Sequence, residues 1–163
     1  MEILLYSEEF KDQIISLILN IQRDEFDLSI TLNDQPDLKN IFEFYIESGG
    51  GFWVFKHGYN IVGTIALLNI GGGQYALRKM FVKANFRGAE YCVAKNLLLY
   101  AEKWALLQRE TAEIYLGTTE RFIAAHKFYR KNGYIELDKT MLPISFPIMC
   151  VDKLFFMKAL TSR

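Results

Sequence analysis

Twice in the second half of the chain a strand-like run turns directly into an amphipathic helix, and that repeated transition limits the fold more than any other feature. The first passes from Met80-Phe81-Val82 through Asn85-Phe86-Arg87-Gly88 into a helical stretch beginning near Val93. The second passes from a strand over 113–117 through Thr118-Thr119-Glu120-Arg121 into a helix over 120–132. Strand, helix and strand in that order suggest a right-handed crossover between near-parallel strands. A helix start at the end of a strand also gathers unpaired backbone N–H groups and the positive end of the helix dipole, which together receive an anion.

The first half is patterned differently. A strand over 2–6 precedes Ser7, placed to cap a helix with Glu8 and Glu9 in its first turn and with Phe10, Ile14, Leu17, Ile18 and Ile21 at helical spacing. The period is lost over 23–34. Pro36 then predicts a second helix start, with Leu38, Ile41, Phe42 and Tyr45 on one face and Gly49-Gly50-Gly51 as its stop. Strands over 52–56, 61–69 and 74–82 are separated by His57-Gly58-Tyr59-Asn60 and Gly71-Gly72-Gly73, short turns that imply an antiparallel meander. A helix over 93–108 buries Ala94, Leu97, Leu98, Ala101, Trp104 and Ala105. The helix over 120–132 ends in Asn132-Gly133, where glycine supplies a left-handed residue and Tyr134 its apolar contact. Strands over 134–137 and 153–160, with a loop through Pro143 and Pro147 between them, complete the order β-α-α-β-β-β-α-β-α-β-β, a mixed α/β sandwich.

At 163 residues, 51% of them hydrophobic and only 3 of them proline, the chain fits one ordered domain able to bury a core. No basic segment precedes an apolar one at the start, and no apolar run approaches the ~20 residues that cross a bilayer, so a cytoplasmic protein away from membranes is expected. Cys92, Cys150, His57 and His126 form no metal spacing and no disulfide framework, so no metal and reduced thiols are expected. Charge is divided unevenly. Residues 1–72 carry 4 basic and 11 acidic side chains, and residues 73–163 carry 15 and 8. A polyanionic cofactor would be drawn to the second half and a cationic acceptor such as an amine to the first, if each supplies one wall of a cleft; the other reading is two solvated faces that happen to differ. The basic residues are scattered rather than striped, which speaks against nucleic acid.

Several runs stand in a familiar order: Gly50-Gly51-Phe52-Trp53-Val54, Ile61-Val62-Gly63-Thr64-Ile65-Ala66-Leu67, Arg87-Gly88, Leu116-Gly117-Thr118-Thr119, Phe128-Tyr129-Arg130-Lys131-Asn132-Gly133-Tyr134, and Phe146-Pro147 with Asp152 and Phe155-Phe156. Over about residues 40 to 160 the chain resembles the GNAT superfamily of acetyl-CoA-dependent N-acetyltransferases. The resemblance implies a mixed, largely antiparallel central sheet with helices on both faces, acetyl-CoA as cosubstrate and an amine as acceptor. The family's pyrophosphate turn reads Gln or Arg, two residues, Gly, one residue, Gly or Ala. Counting from Arg87 puts Glu90 at the glycine, whereas counting back from Leu97-Leu98 gives Ala89, Cys92 and Ala94, so the loop is about two residues longer than usual. The implied cofactor residues are Arg87, Gly88, Ala89, Glu90, Tyr91, Cys92, Val93 and Ala94 around the pyrophosphate. Met80, Phe81 and Val82 supply strand backbone beside the acetyl carbonyl, and Thr118 and Thr119 lie at the pantetheine arm, where their hydroxyls can equally cap the helix.

Acetyl transfer from a thioester to an amine needs a neutral amine, an oxyanion stabiliser and a proton for the departing thiolate. Tyr129 matches the family tyrosine near the CoA sulfur and is the implied acid; the alternative is a packing role beside Phe128. Ala76 stands near where some relatives carry a glutamate, so the base is left open between Glu25 or Glu43 acting through water and an amine that arrives neutral. Asp24-Glu25-Phe26-Asp27 is the implied acceptor wall, with Glu25 and Phe26 as its substrate residues. His126 reads as a surface histidine, and Cys92, with no histidine nearby in sequence, gives no acyl-enzyme. Tyr45, Phe155 and Phe156 serve either a homodimer surface or the core. The expected function is transfer of an acetyl group from acetyl-CoA to a primary amine of a small molecule or peptide, by direct attack in a ternary complex. The alternative is a non-catalytic acyl-CoA-binding module that has lost its base.

Overall fold

In the computed structural model, which describes residues 1–162, the elements follow the expected order. Strands β1 (Glu2–Leu5), β2 (Gly51–His57), β3 (Asn60–Gly71), β4 (Gln74–Val82), β5 (Thr111–Thr118), β6 (Ile135–Leu137) and β7 (Leu154–Thr161) make, among the described residues, one seven-stranded sheet in the order β1-β2-β3-β4-β5-β7-β6. Every neighbouring pair is antiparallel except β4 and β5, which run parallel. Alternation along β2 sends Phe52 and Val54 to one face and Trp53 and Phe55 to the other. On the first face they meet Ile14 and Ile18 of α1 (Lys11–Asn20) and Leu38 of α2 (Pro36–Lys39). On the second they join Leu97, Leu98 and Ala101 of α3 (Val93–Gln108) and Tyr129 of α4 (Ile123–Lys131). Because both faces are covered, β2 and β3 read as nearly unbroken apolar runs.

The N-terminal helices depart from the expected pattern. Ser7 is extended and makes no side-chain cap, and a tight 3₁₀ turn, Glu8–Phe10, leads into α1. The far end of α1 widens into a π turn, Ile21–Glu25. The second predicted helix breaks after α2, because Asn40 leaves the helical region (φ −134, ψ 60) and a π turn, Phe42–Glu47, follows. An extra residue in that turn upsets the 3.6-residue face, so Phe42 is half exposed while Leu38, Ile41 and Tyr45 stay buried. Tyr45, Phe155 and Phe156 all lie in the interior, which removes them from any homodimer surface. Helix α4 starts at Ile123 rather than 120. Its N-cap is Phe122, so neither Thr118 nor Thr119 caps it; Thr119 Oγ1 instead accepts from the Arg121 N–H (3.4 Å).

The sheet opens at one place. β4 and β5 pair only through Gln74–Glu113, Tyr75–Ile114 and Ala76–Tyr115, and beyond Ala76 the two strands separate. Lys79 sits in the left-handed region (φ +54), and the β3–β4 register shifts between Ala66–Arg78 and Thr64–Phe81. This bulge bends β4 away from its parallel neighbour and re-aims the side chains of Arg78 and Lys79.

Candidate active site

Where β4 and β5 part, a cavity of about 150 Å³ passes through the sheet. Met80 and Phe81 of β4, Leu116, Gly117 and Thr118 of β5, and Phe122, Ala125 and Tyr129 line one end of it. Tyr129 is held by the turn that ends α4. Gly133 is left-handed (φ +90), its N–H bonds to the Arg130 carbonyl (3.2 Å), and the Tyr134 N–H bonds to the Tyr129 carbonyl (3.0 Å). The two tyrosine rings meet edge to face at 5.7 Å, and the Tyr134 hydroxyl donates to Glu102 (3.1 Å), itself paired with Lys158. The phenol of Tyr129 makes no side-chain hydrogen bond among the described residues and, since no fully buried oxygen there is left without a partner, it opens onto the cavity. Burial alone pushes its pKa well above the usual tyrosine value, so it is a protonated acid throughout the neutral range. His126, expected at the surface, is buried: the Thr119 carbonyl can only accept, so Nε2 of His126 carries the proton in their 2.9 Å bond, and the ring fastens the Thr118-Thr119 loop to α4.

The other end of the cavity is polar. Arg78 and Lys79 reach it from β4, Gln22 and Gln35 from the N-terminal layer, and Asp152 from the segment before β7. Asp37, almost wholly buried behind them, accepts from the Tyr45 hydroxyl (2.5 Å) and lies 3.4 Å from Lys79 Nζ and 3.7 Å from Arg78 Nη2. Lys79 also donates to Gln35 Oε1 (2.6 Å), and Gln35 pairs with Gln22. Burial outweighs the attraction of Asp37 and pulls the Lys79 ammonium down to about 8. Burial likewise raises the Asp152 carboxyl above its ordinary value, opposed by the Met149 N–H bond (2.9 Å) and the Arg78 charge. The Asp152 carboxyl packs directly on Gly117, where a Cβ would come within 2.6 Å of it, so glycine at this point makes room for that carboxyl.

Between β4 and α3 the chain turns through Gly88 (φ +95) and Cys92 (φ +50), both left-handed. Cys92 is the N-cap of α3, and no side chain caps its first turn. Arg87 donates from Nε to the Val82 carbonyl (2.8 Å) and makes a two-pronged pair with Glu25, Nη1 to Oε1 and Nη2 to Oε2. Arg121, in the second strand-to-helix turn, donates to the carbonyls of Phe26 (3.1 Å) and Asp27 (3.0 Å), while the Phe26 ring packs on Phe122 at 4.4 Å. Both turns therefore clamp the same segment. A broader depression of about 750 Å³ lies outside it along α1, lined by Asp12, Asp24 and Glu25 among others; the buried phenol and the separated strands belong to the smaller cavity.

The family model for the acetyltransferase (GNAT) family matches residues 15–134. The chain belongs to the GNAT acetyltransferase family. A GNAT-family acetyltransferase of Staphylococcus aureus Mu50 is 40% identical over 98% of this chain and 99% of that one, with a TM-score of 0.92. The fold is shared with a PaiA N-acetyltransferase of Thermoplasma acidophilum solved with coenzyme A, at 18% identity and a TM-score of 0.77, covering 98% of both chains. Among curated proteins, the N-acetylaspartate synthetase of Mus musculus is 31% identical over 125 residues, which is 74% of this chain and 40% of that protein. The chain thus spans about two-fifths of the length of this curated relative. It carries the fold and family of an acetyltransferase. No described helix is long and apolar enough to cross a membrane.

Of the residues expected at the site, the acetyltransferase brings Tyr129, Met80, Phe81, Thr118 and Thr119 to the cavity; Val82 follows them on β4, and 87–94 forms the loop beside it. Glu25 and Phe26 of the expected acidic wall do not line the smaller cavity. Glu25 faces the outer depression and is hydrogen-bonded by Arg87, which holds its carboxyl below the usual range, and Phe26 packs at the rim on Phe122. Glu43 is exposed on the π turn and does not line the cavity. The sequence reading missed Arg78, Lys79, Gln35 and the position of Asp152. A signal existed for the first two, since consecutive basic residues interrupt an otherwise apolar central strand.

Proposed function

We propose that the acetyl group passes directly from acetyl-CoA to a primary amine within the cavity between β4 and β5, with Tyr129 as the acid and Asp152 as the base. The carrying observation is the phenol of Tyr129, buried, without a side-chain hydrogen bond among the described residues, and at the wall of that cavity. The pyrophosphate lies against the loop of Arg87, Gly88, Ala89, Glu90, Tyr91, Cys92, Val93 and Ala94, where the uncapped start of α3 supplies N–H donors. Arg87 exchanges Glu25 for a phosphate in this reading. The pantetheine arm follows Thr118 and Thr119, and the backbone of Met80, Phe81 and Val82, unpaired on the β5 side, receives the thioester carbonyl.

The ammonium gives one proton to Asp152 and the freed amine attacks the carbonyl carbon. The new C–N bond forms, the C–S bond breaks, the thiolate takes the proton of Tyr129, and the second proton on nitrogen passes to the phenolate so formed, while Asp152 returns its proton to solvent. A carboxylate raised by burial is a better base than an exposed one. N-acetylaspartate, in the name of the curated relatives, is likewise an acetylated amine. Tyr129→Phe should lower kcat about 10²-fold while leaving the KM for acetyl-CoA unchanged. Unchanged kcat would remove Tyr129 from the mechanism. The acid limb of the kcat/KM profile should lie above the usual carboxylate range and vanish in Asp152→Asn.

A further inference from the structure

The side chain of Arg78 is only 13% exposed and projects into the cavity from the middle of the sheet. Its guanidinium carries five N–H donors and a charge that cannot be shed. Among the described residues no oxygen accepts from it; Nη2 touches Met149 Sδ (3.7 Å) and stands 3.7 Å from Asp37, beyond hydrogen-bond reach. Asp37 is already engaged by the Tyr45 hydroxyl and faces Lys79 as well. Two buried cations therefore share one carboxylate, which leaves positive charge in excess at this wall. Asp152 lines the same cavity but forms no ion pair with Arg78, although the Arg78 charge reaches it. A guanidinium and a carboxylate line one small cavity without an ion pair between them.

We propose that the acceptor is a free amino acid, bound through its carboxylate to Arg78 while its amine is directed at Asp152. This rests on the acetyltransferase reading and adds the class of acceptor to it. The planar fork of arginine matches a carboxylate with two parallel N–H···O bonds, and a desolvated site makes those bonds count more than at a surface. The alternation of charge in the cavity is the complement of a zwitterion: cation to carboxylate, carboxylate to ammonium. The acceptor shares a cavity of about 150 Å³ with the thioester end of the cofactor, and pockets for drug-sized ligands run to roughly 300–1,000 Å³, so the acceptor is small. A polyamine would meet Arg78 and Lys79 with charge of their own sign.

The test is a steady-state panel of the proteinogenic L-amino acids, their α-carboxamides, putrescine and spermidine, followed by release of the CoA thiol. The wild-type protein should use its best amino acid roughly 100-fold more efficiently in kcat/KM than an amide that lacks the recognised carboxylate. Asparagine and glutamine test a side-chain carboxylate in the same panel. Arg78→Gln should erase most of that preference by raising the acceptor KM, with the acetyl-CoA KM unchanged, and Arg78→Lys, which keeps the charge without the fork, should lie between. Equal use of amides or of spermidine, or a preference that survives Arg78→Gln, overturns the proposal. Should Arg78→Gln fail to fold, the wild-type ratios and Arg78→Lys decide. Turnover without carboxylate preference sinks this proposal alone. A wild-type protein that shows no calorimetric binding of acetyl-CoA and no thiol release with any amine sinks the acetyltransferase reading beneath it.

Discussion

The Asp37 cluster and the Arg87–Glu25 pair both fasten the N-terminal layer to the sheet, one in the interior and one at the rim. Asp37 is almost inaccessible, and Tyr45, Lys79 and Arg78 surround it; the charges there are poorly hydrated and mutually dependent. Arg87 and Glu25 form a two-pronged pair, yet both side chains are about a third exposed, so water competes with each bond. Good geometry and energetic weight thus fall in different places. The interior cluster sets the polar wall of the cavity, and the rim pair is one of several contacts, with those of Arg121 and Phe122, that hold its segment.

Substitutions can break this contrast or sharpen it. Asp37→Ala leaves two buried cations without their carboxylate and should cost about 3–5 kcal/mol, read from the shift in urea midpoint at constant slope. A loss below about 1 kcal/mol would mean that water reaches the cluster, and the contrast with the rim would vanish. Lys79 supplies a pH signature. Folded, it sheds its proton near 8, and unfolded near 10.5, so between those values the unfolded chain binds more protons and stability rises with pH. The rise attributable to this group is about 3 kcal/mol in all, and it should be missing when Lys79→Met is compared with the wild type across pH 8 to 10.5. A parallel pair of curves would show that the ammonium is hydrated. At the rim, Glu25→Gln should change stability by at most about 1 kcal/mol, and the difference should shrink further as salt is raised towards 1 M. A salt-independent loss of 2 kcal/mol or more would place this pair in the same class as the Asp37 cluster.

The parts of the fold carried by local pattern were legible in the sequence. Asn132-Gly133-Tyr134 announces the end of α4 because only glycine enters the left-handed region without strain and because the apolar contact comes from the next residue. The meander β2–β3–β4 is legible for the same reason: glycine-rich turns separate short apolar runs. Features that depend on distant partners were not legible. Nothing local to Lys79 predicts a left-handed lysine, which needs the β3–β4 register shift around it. Arg87 meets Glu25 across 62 positions of chain, so the acidic run 24–27 looked like a free wall when one of its carboxylates was already taken. His126 looked solvated because helical position alone does not reveal a carbonyl waiting seven residues back.

The turn at Gly133 has a reach greater than its size. It has no side chain and lies outside the cavity, yet the hydrogen bond that closes it starts from the backbone of Tyr134 and ends on the carbonyl of Tyr129. A methyl group at 133 would oppose the left-handed geometry by about 1–2 kcal/mol, pull on that carbonyl and turn the phenol. The cavity therefore has a mutational footprint wider than its lining, and a residue that contributes only backbone freedom bears on the aim of a phenol four positions away.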